Sequence, residues 1–346
     1  MKAIGYHAPH PIDHPEALLD LELPAPVPRP HDLLVRVHAV SVNPVDTKVR
    51  AGSAPDAGTA KVLGWDAVGI VEALGDAVQG FAVGDRVYYA GAIDRPGTNA
   101  ELHTVDARIA ARAPASLNDA QAAALPLTAI TAWELLFDRL RITRLDDAAS
   151  DHSGDPAGRP VLLIAGGAGG VGSMLIQLAR QLTGLRVVAT ASRPATRQWC
   201  LDMGAHDVID HREPMTPQLA ALGITEVDHV ASLTHTADHL PQYVELLRPQ
   251  GQIAVIDDMP ALDVMPLKRK SLSLHWELMF TRSLFGTPDL DRQGALLADV
   301  ARLVDAGHLR TTLATEMGAI NAANLRRAHA LVESGTAIGK VVLQRF

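Results

Sequence analysis

The stretch Val161–Gly172, VLLIAGGAGGVG, decides the fold. Its first five residues form an uninterrupted apolar run, which is typical of a strand buried on both faces of a parallel sheet. The glycines that follow contain the pattern G-x-G-x-x-G at Gly167, Gly169 and Gly172, and helical spacing continues to Leu182. A strand, a glycine turn and a helix in this order predict a dinucleotide-binding unit.

Each glycine of this pattern has a separate physical task. Gly167 permits a tight turn, Gly169 lets the backbone approach a pyrophosphate, and Gly172 lets the helix pack closely on the strand. The start of the helix offers unpaired N–H groups and a partial positive charge to an anion. A glycine-rich turn without a ligand is the alternative. We expect the pyrophosphate to be held by the loop residues Gly167, Ala168, Gly169, Gly170, Val171 and Gly172.

The residues after the second strand indicate which dinucleotide binds. NAD-binding proteins place a carboxylate there to bond the ribose 2′-hydroxyl. Here the strand Arg186–Ala191 is followed by Ser192 and Arg193, with Arg197 close behind, and no carboxylate occurs before Asp202. Arginines pair well with a 2′-phosphate, so the sequence favours NADPH over NADH. His211, after the third strand, borders the adenine or its phosphate in this interpretation, or is a plain surface histidine.

On both sides of this motif the pattern predicts an α/β chain of two kinds of structure. Strand and helix alternate from Val161 to Ile256, which predicts a doubly wound parallel sheet. Upstream, short alternating runs separated by Gly and Pro predict a β-rich unit with strands at Leu33–Val42, Val68–Leu74 and Asp85–Tyr89. Asn118–Leu140 reads as a helix, and Asp146–Pro160 as an exposed loop.

Composition excludes several classes of protein. The chain has 346 residues, which fits two domains, and its net charge of −8 argues against a nucleic-acid partner. Its single cysteine, Cys200, excludes an internal disulfide framework and favours a reducing, cytoplasmic setting. We see no signal peptide at the N-terminus and no apolar run long enough to span a membrane.

Several further motifs give the chain a resemblance over nearly its whole length. They are SVNPVD from Ser41, LGWDAVG from Leu63, VGDRV from Val83, LPLTAITA from Leu125 and GKVVL from Gly339. With the glycine loop, this set resembles the medium-chain dehydrogenase/reductase superfamily, in its quinone oxidoreductase-like branch. The resemblance implies a GroES-like catalytic domain over 1–125, an NADPH-binding Rossmann domain over 126–270, and a segment 271–346 that supplies a sheet edge and returns to the catalytic domain.

The same resemblance predicts that no metal is bound. Zinc-dependent members have Cys where this chain has Asn43, and a His-Glu pair where it has Trp65 and Asp66. A catalytic zinc needs about three protein ligands, and no such set is visible. His235 and His239 stand four apart, but they lack a nearby third ligand, and the remaining histidines show no ligand spacing.

Without zinc, substrates that spread the arriving charge are favoured, so the resemblance implies hydride transfer from NADPH to a quinone or an α,β-unsaturated carbonyl. Cofactor and substrate are expected to meet in a cleft between the domains. The implied catalytic residues are Asn43, Lys48 and Thr128. Lys48 is either a proton donor or a surface residue, and solvent is the alternative proton source. Asp46 is expected to be structural, and the candidate walls of a substrate pocket are Trp65, Tyr89 and Asn99.

Two other functions remain open from the sequence. One is a zinc-dependent alcohol or aldehyde dehydrogenase with unusual ligands, and the other is a non-catalytic NADPH-binding protein. The partner expected in each enzymatic interpretation is a small-molecule substrate. The family often forms dimers by continuing the Rossmann sheet across a two-fold axis, so a homodimer is expected, with Ser271–Trp276 as a candidate edge strand.

Overall fold

The computed structural model describes residues 1–145 and 156–346. The chain forms two compact units, which we call unit 1 (Met1–Ile130 with Met279–Phe346) and unit 2 (Thr131–Leu278). The boundaries expected from the sequence, after residues 125 and 270, lie a few residues before these. The second excursion of the chain into unit 1 supplies the C-terminal strand and the helices that precede it.

The described residues form sixteen strands, numbered here in chain order. They are β1 Lys2–Tyr6, β2 Leu19–Glu22, β3 Asp32–Val42, β4 Lys61–Val62, β5 Ala67–Leu74, β6 Arg86–Tyr89, β7 Leu102–Asp106, β8 Ala110–Arg112, β9 Val161–Ala165, β10 Arg186–Thr190, β11 Asp207–Ile209, β12 Val227–Ser232, β13 Leu247–Val255, β14 Ser273–Trp276, β15 Leu313–Glu316 and β16 Lys340–Gln344.

The α-helices of the same described ranges are also numbered in chain order. They are α1 Pro44–Gly52, α2 Asp119–Ala123, α3 Pro126–Trp133, α4 Gly170–Leu182, α5 Pro194–Asp202, α6 Met215–Ala221, α7 Thr236–Leu246, α8 Thr281–Phe285, α9 Arg292–Asp305 and α10 Ala322–Glu333. A π-helical segment, Glu134–Arg139, continues α3, and short 3-10 turns occupy Ala107–Ile109 and Met265–Lys270.

Unit 2 contains the predicted doubly wound sheet. Its strand order is β11-β10-β9-β12-β13-β14, and every pairing is parallel. All five residues of β9 are buried, as its continuous apolar sequence requires of a strand with neighbours on both sides. This arrangement confirms the Rossmann prediction and puts the glycine loop at the carboxyl end of a central strand.

Unit 1 is β-rich, as predicted. A seven-stranded sheet runs β15-β16-β3-β5-β6-β8, with β7 also paired to β3, and β2-β1-β4 form a smaller sheet. The closing strand β16 pairs antiparallel with β3, setting Val341 opposite Val42. This pairing brings residue 340 next to residues 42 and 43, which lie almost 300 positions earlier in the chain.

Three sequence predictions, on a helix, a membrane span and a loop, have different outcomes. The helix expected over Asn118–Leu140 is interrupted at Ala124 and Leu125, just before Pro126, because proline lacks the N–H that an unbroken helix needs. Asp119–Arg139 is long and apolar enough to cross a membrane, yet 89% of its most apolar window is buried in the protein, as in a core helix. The loop expected at Asp146–Pro160 falls largely on residues 146–155, outside the described ranges.

Candidate functional site

A buried carboxylate lies where four of the sequence motifs meet in unit 1. Asp66 is fully buried, and its Oδ2 accepts hydrogen bonds of 2.7 Å from both Ser41 Oγ and Asn43 Nδ2. Its Oδ1 accepts from the backbone N–H of Leu127 at 2.7 Å. Burial of an ionised carboxylate is unfavourable unless its oxygens accept hydrogen bonds. Both oxygens of Asp66 do so.

Lys340 completes this arrangement from the closing strand. Its ammonium is 3% exposed and donates to Asp66 Oδ2 at 3.0 Å and to Val42 O at 3.2 Å. A third bond goes to Asn43 Oδ1. We call Ser41, Asn43, Asp66 and Lys340 the buried network. All three N–H groups of the ammonium therefore have acceptors, and the carboxamide of Asn43 is held at both ends.

Asp46 lies beside this network and accepts fewer hydrogen bonds than Asp66. Its Oδ2 accepts from the backbone N–H of Asn43 at 2.7 Å, which caps the start of α1. Its Oδ1 is buried, with no hydrogen-bond partner among the described residues. Burial raises the pKa of Asp46 to about 7, although Lys340 acts in the opposite direction. The structural role expected for Asp46 thus includes a carboxyl group that can hold a proton near neutral pH.

The other site residues predicted in unit 1 differ in their exposure to solvent. Lys48 is exposed on α1, whereas Thr128 is buried and donates from its hydroxyl to Leu125 O at 3.0 Å. Trp65 is 1% exposed, donates from its indole N–H to Ala92 O at 3.1 Å, and contacts the ring of Phe280 edge-on.

Tyr89 and Asn99 are also buried. The Tyr89 ring stacks on His103, and its hydroxyl lies 3.1 Å from His103 Nδ1. Burial lowers the pKa of His103 to about 4, so this imidazole is neutral at pH 7. Asn99 packs against Gly64, where an added Cβ would lie 2.7 Å from Asn99 Oδ1.

In unit 2, the glycine loop has the geometry of an anion cradle. A Cβ at Gly172 would lie 2.4 Å from Gly166 O, and one at Gly167 would lie 2.7 Å from the Cβ of Ala189, so both positions exclude side chains on internal grounds. At Gly169 an added Cβ would meet only Gly166 O, at 3.6 Å. Gly169 caps α4 without a side-chain hydrogen bond, which leaves the first N–H groups of that helix available to a ligand.

At the end of β10, the predicted arginines have different surroundings. Arg193 is exposed, whereas Arg197 is half-buried and donates to Val208 O at 2.8 Å. Arg212, which the sequence interpretation missed, donates to Ser192 O at 2.8 Å and pairs with Asp210 at 2.7 Å. The structure thus places Arg212, just after β11, beside the Ser192 that follows β10.

The histidines near this edge are partly clustered. The ring centroids of His211 and His239 lie 6.2 Å apart, and burial lowers the pKa of both imidazoles. His235 is exposed and lies 3.5 Å from Asp238. His211 and His239 therefore share an environment that their separation in sequence does not reveal.

The main residues missed from sequence are Ser41, Lys340 and Arg212. Lys340 was quoted only as part of a motif, GKVVL, although a charge opening an otherwise apolar strand was a usable signal. Its partners could not be inferred, because Lys340 and Asp66 are separated by 274 positions. Arg212 was overlooked because it follows the third strand rather than the second.

Family models match both units. A model described as zinc-binding dehydrogenase matches residues 203–343, and one described as alcohol dehydrogenase GroES-like domain matches residues 29–115. A zinc-type alcohol dehydrogenase-like protein of Staphylococcus aureus is 38% identical over 99% of both chains. A quinone oxidoreductase of Mus musculus is 30% identical over 73% of this chain and 72% of its own.

Solved structures agree with these matches. A protein of Rhizobium etli, provisionally described as a zinc-dependent alcohol dehydrogenase, has 56% identity and a TM-score of 0.94, covering 100% of this chain and 98% of its own. A mycobacterial protein complexed with NADPH has 26% identity, a TM-score of 0.80 and 99% coverage of both chains. An NAD-dependent alcohol dehydrogenase has 26% identity, a TM-score of 0.81 and 100% coverage of both.

Proposed function

Because the chain belongs to the medium-chain dehydrogenase/reductase superfamily, in its quinone oxidoreductase-like branch, we propose that this oxidoreductase transfers hydride from NADPH to a quinone or an α,β-unsaturated carbonyl without zinc. The observation that carries the proposal is the buried network. Asn43 and Asp66, which stand at positions that zinc-dependent members use for their metal site, are hydrogen-bonded to each other and to the ammonium group of Lys340.

These residues do not fit a zinc ion. Asp66 already accepts four hydrogen bonds, and the ammonium of Lys340 lies 3.0 Å from the same oxygen that a metal would use. A second cation at that distance would meet strong repulsion in a low-dielectric interior. Trp65 offers an indole N–H, which is a donor only. The proposed reaction therefore has no step that involves zinc.

The glycine loop does fit a dinucleotide. A Cβ at Gly169 would clash with no other atom of the protein. Glycine is expected at such a position where a pyrophosphate must approach the backbone closely. The nicotinamide cofactor supplies the hydride when it is bound. The loop and the start of α4 hold the pyrophosphate through backbone N–H groups.

The choice of NADPH over NADH rests on the basic residues after β10. Arg193 and Arg212 provide the guanidinium groups for a 2′-phosphate, and Ser192 provides a hydroxyl. The carboxylate of Asp210 follows β11, and Arg212 holds it in an ion pair at 2.7 Å. A paired carboxylate is less available to a ribose hydroxyl than the unpaired one of an NAD site.

The catalytic unit then binds and orients the substrate. Asn43 gives one amide N–H to Asp66 and receives a bond from Lys340, so its second N–H is the donor that we assign to a substrate oxygen. Quinones and enones need only this modest stabilisation, because they delocalise the arriving charge. The hydroxyl of Thr128 donates its hydrogen bond to Leu125 O, so toward a ligand this oxygen acts as an acceptor. Hydride addition leaves an anion on the substrate oxygen, and Lys48 or solvent supplies the proton that neutralises it.

The deciding experiment follows cofactor oxidation with a panel of quinones, enones and simple aldehydes, with NADPH and NADH in parallel, before and after chelation. We expect turnover that survives chelation, prefers NADPH and falls at least tenfold in Asn43→Ala, with Asn118→Ala as a control on the surface. Activity that disappears with metal would favour the zinc-dependent dehydrogenase. Tight NADPH binding without turnover would favour a non-catalytic binding protein.

We also propose a homodimer formed through unit 2, in a cytoplasmic setting. Among the described residues, the outer strand β14 of the unit 2 sheet pairs only with β13, and Trp276 at its end is 56% exposed, with Leu278 at 50%. An exposed edge beside large apolar side chains favours association with a second copy. Light scattering should give twice the chain mass, and Trp276→Lys should shift it toward the monomer.

A further inference from the structure

The loop between β1 and β2 brings together three potential metal ligands. His10, His14 and Glu16 each offer a ligand atom, and these atoms lie within 4.8 Å of one another. Both imidazoles are half-buried, and the carboxylate is exposed. His10 and His14 stand four residues apart, a spacing that zinc-binding histidine pairs use, but the sequence alone did not group them with Glu16. It is the turns of the loop that make them neighbours.

The loop is anchored at several points. The carbonyl of His10 accepts from the buried guanidinium of Arg50. Arg326 donates from one nitrogen to Pro15 O at 3.0 Å and to Leu18 O at 2.6 Å. A tight turn closes where His14 N donates to Pro11 O at 3.0 Å.

Prolines restrict the same segment further, at positions 9, 11 and 15. An anchored backbone loses little conformational freedom when its side chains bind an ion, so the loop is preorganised as a ligand frame. This distinguishes it from an accidental meeting of long side chains on a mobile surface.

The donor set is specific for one class of ion. Two imidazoles and one carboxylate are a ligand set used for Zn²⁺, with a fourth position left for water. Hard cations such as Mg²⁺ and Ca²⁺ prefer oxygen ligands and are poorly matched. The affinity order among divalent ions is expected to follow the general preference for Cu²⁺ over Zn²⁺ and of both over Mn²⁺.

Binding requires a small local change. The rings of His10 and His14 stack with centroids 3.9 Å apart and an interplanar angle of 10°. Ring lone pairs lie in the ring planes, so one ring must turn before both can point at a single ion. His14 Nδ1 also accepts from Glu16 N at 3.2 Å, and coordination by His14 sacrifices that long bond. Both costs are modest, because the rings are half-buried.

We propose that His10, His14 and Glu16 form a binding site for a first-row transition metal ion of the Zn²⁺ type, on the proline-rich loop of unit 1. The site shares no residue with the buried network. Its occupancy is therefore independent of the proposed reaction, and zinc found with the protein would lie on this loop without supporting turnover.

The test uses tag-free protein after chelation, titrated with ZnCl₂ by calorimetry. We expect one Zn²⁺ per chain, with affinity at least tenfold weaker in His10→Ala and in His14→Ala, and reduced less in Glu16→Gln. His308→Ala, at an exposed site on the same unit, is the matched control and should bind like wild type. Unchanged binding in His10→Ala/His14→Ala, or no binding by wild type, would overturn the proposal.

A second measurement uses the wild-type protein and so does not depend on whether the variants fold. Co²⁺ added to the wild type should give weak visible absorption without the intense near-ultraviolet band of a thiolate ligand, because no cysteine lies in unit 1. Zn²⁺ should displace this signal. A thiolate band would place the metal elsewhere and reject the site. Loss of zinc should leave NADPH turnover unchanged, which separates this result from a failure of the proposed function.

Discussion

The glycine loop of unit 2 and the buried network of unit 1 differ in their use of side chains. The loop keeps side chains out, so that backbone N–H groups meet a ligand, and an added Cβ at Gly169 would meet nothing closer than 3.6 Å. The network fills its space with side chains, and Asp66 is 0% exposed with four donors. One region is specified by six adjacent residues and the other by strands far apart in the chain. The binding function proposed for the loop therefore depends on neighbouring residues, whereas the orienting function proposed for the network depends on distant segments.

The largest expected effect comes from opening the network. Lys340→Met should lower the free energy of unfolding by about 3–5 kcal/mol, because it leaves a buried carboxylate without its cation. Chemical denaturation measures this loss. The control is Arg108→Met, which removes the Arg108–Asp106 pair, where the arginine is 48% exposed and the expected loss is below about 1 kcal/mol. Equal effects of the two variants would contradict the importance assigned to burial.

Asp46 predicts a distinctive dependence on pH. Its pKa is about 7 in the folded protein, whereas an unperturbed aspartate has a pKa of 3.8, so the folded state holds a proton that the unfolded state releases between these values. Its contribution to stability is complete below the unfolded value and is lost as pH rises through 7. Relative to wild type, Asp46→Asn should therefore gain on the order of 3 kcal/mol between pH 4 and pH 8.

The comparison of variant with wild type isolates this group. Burial depresses the pKa of His103 to about 4 and that of His329 to about 3, so both histidines destabilise the fold as pH falls below 6.5. That slope has the opposite sign and is common to both proteins. Unfolding curves at four pH values suffice. Parallel profiles for the two proteins would show that the carboxyl group of Asp46 is ionised in the folded state.

In the glycine loop, two substitutions should separate fold from binding. Gly172→Ala should cost about 1–3 kcal/mol of stability, since its Cβ would lie 2.4 Å from Gly166 O. Gly169→Ala should keep the wild-type melting temperature and weaken NADPH binding about tenfold, or about 1.4 kcal/mol. Fluorescence titration and thermal denaturation measure the two effects. Unimpaired NADPH binding by Gly169→Ala would remove the reason given for that glycine.

The smallest effect should appear in the choice of cofactor. Arg193→Ala should raise the KM for NADPH about tenfold and leave that for NADH unchanged, which corresponds to about 1.4 kcal/mol. Arg197→Ala should instead lower stability by about 1 kcal/mol, because its guanidinium holds Val208 O at 2.8 Å. Steady-state kinetics with both cofactors tests this contrast. If Arg197→Ala changes selectivity and Arg193→Ala does not, the two roles are reversed.

The sequence predicted what depends on neighbouring residues. The buried strand β9, the glycine loop and the alternation of unit 2 follow from local pattern, and the motifs identified the family. The pairing of β16 with β3 was foreseen only as a return of the chain, and the contact of Lys340 with Asn43 depends on its register. Likewise, His10 and His14 become neighbours through loop turns. Interactions made by register and turns across distant segments leave little trace in a single sequence.

One buried atom gives the protein an internal reporter. A Cβ at Gly167 would lie 3.0 Å from the sulfur of Cys200, so this thiol packs directly beneath the glycine loop. Burial raises the pKa of Cys200 to about 12, and the intact protein should therefore resist thiol reagents. As Cys200 is the only cysteine, its labelling rate measures how often α5 and the loop separate. Slower labelling with added NADPH would show that the cofactor reduces the separation of α5 from the loop, even before any substrate is known.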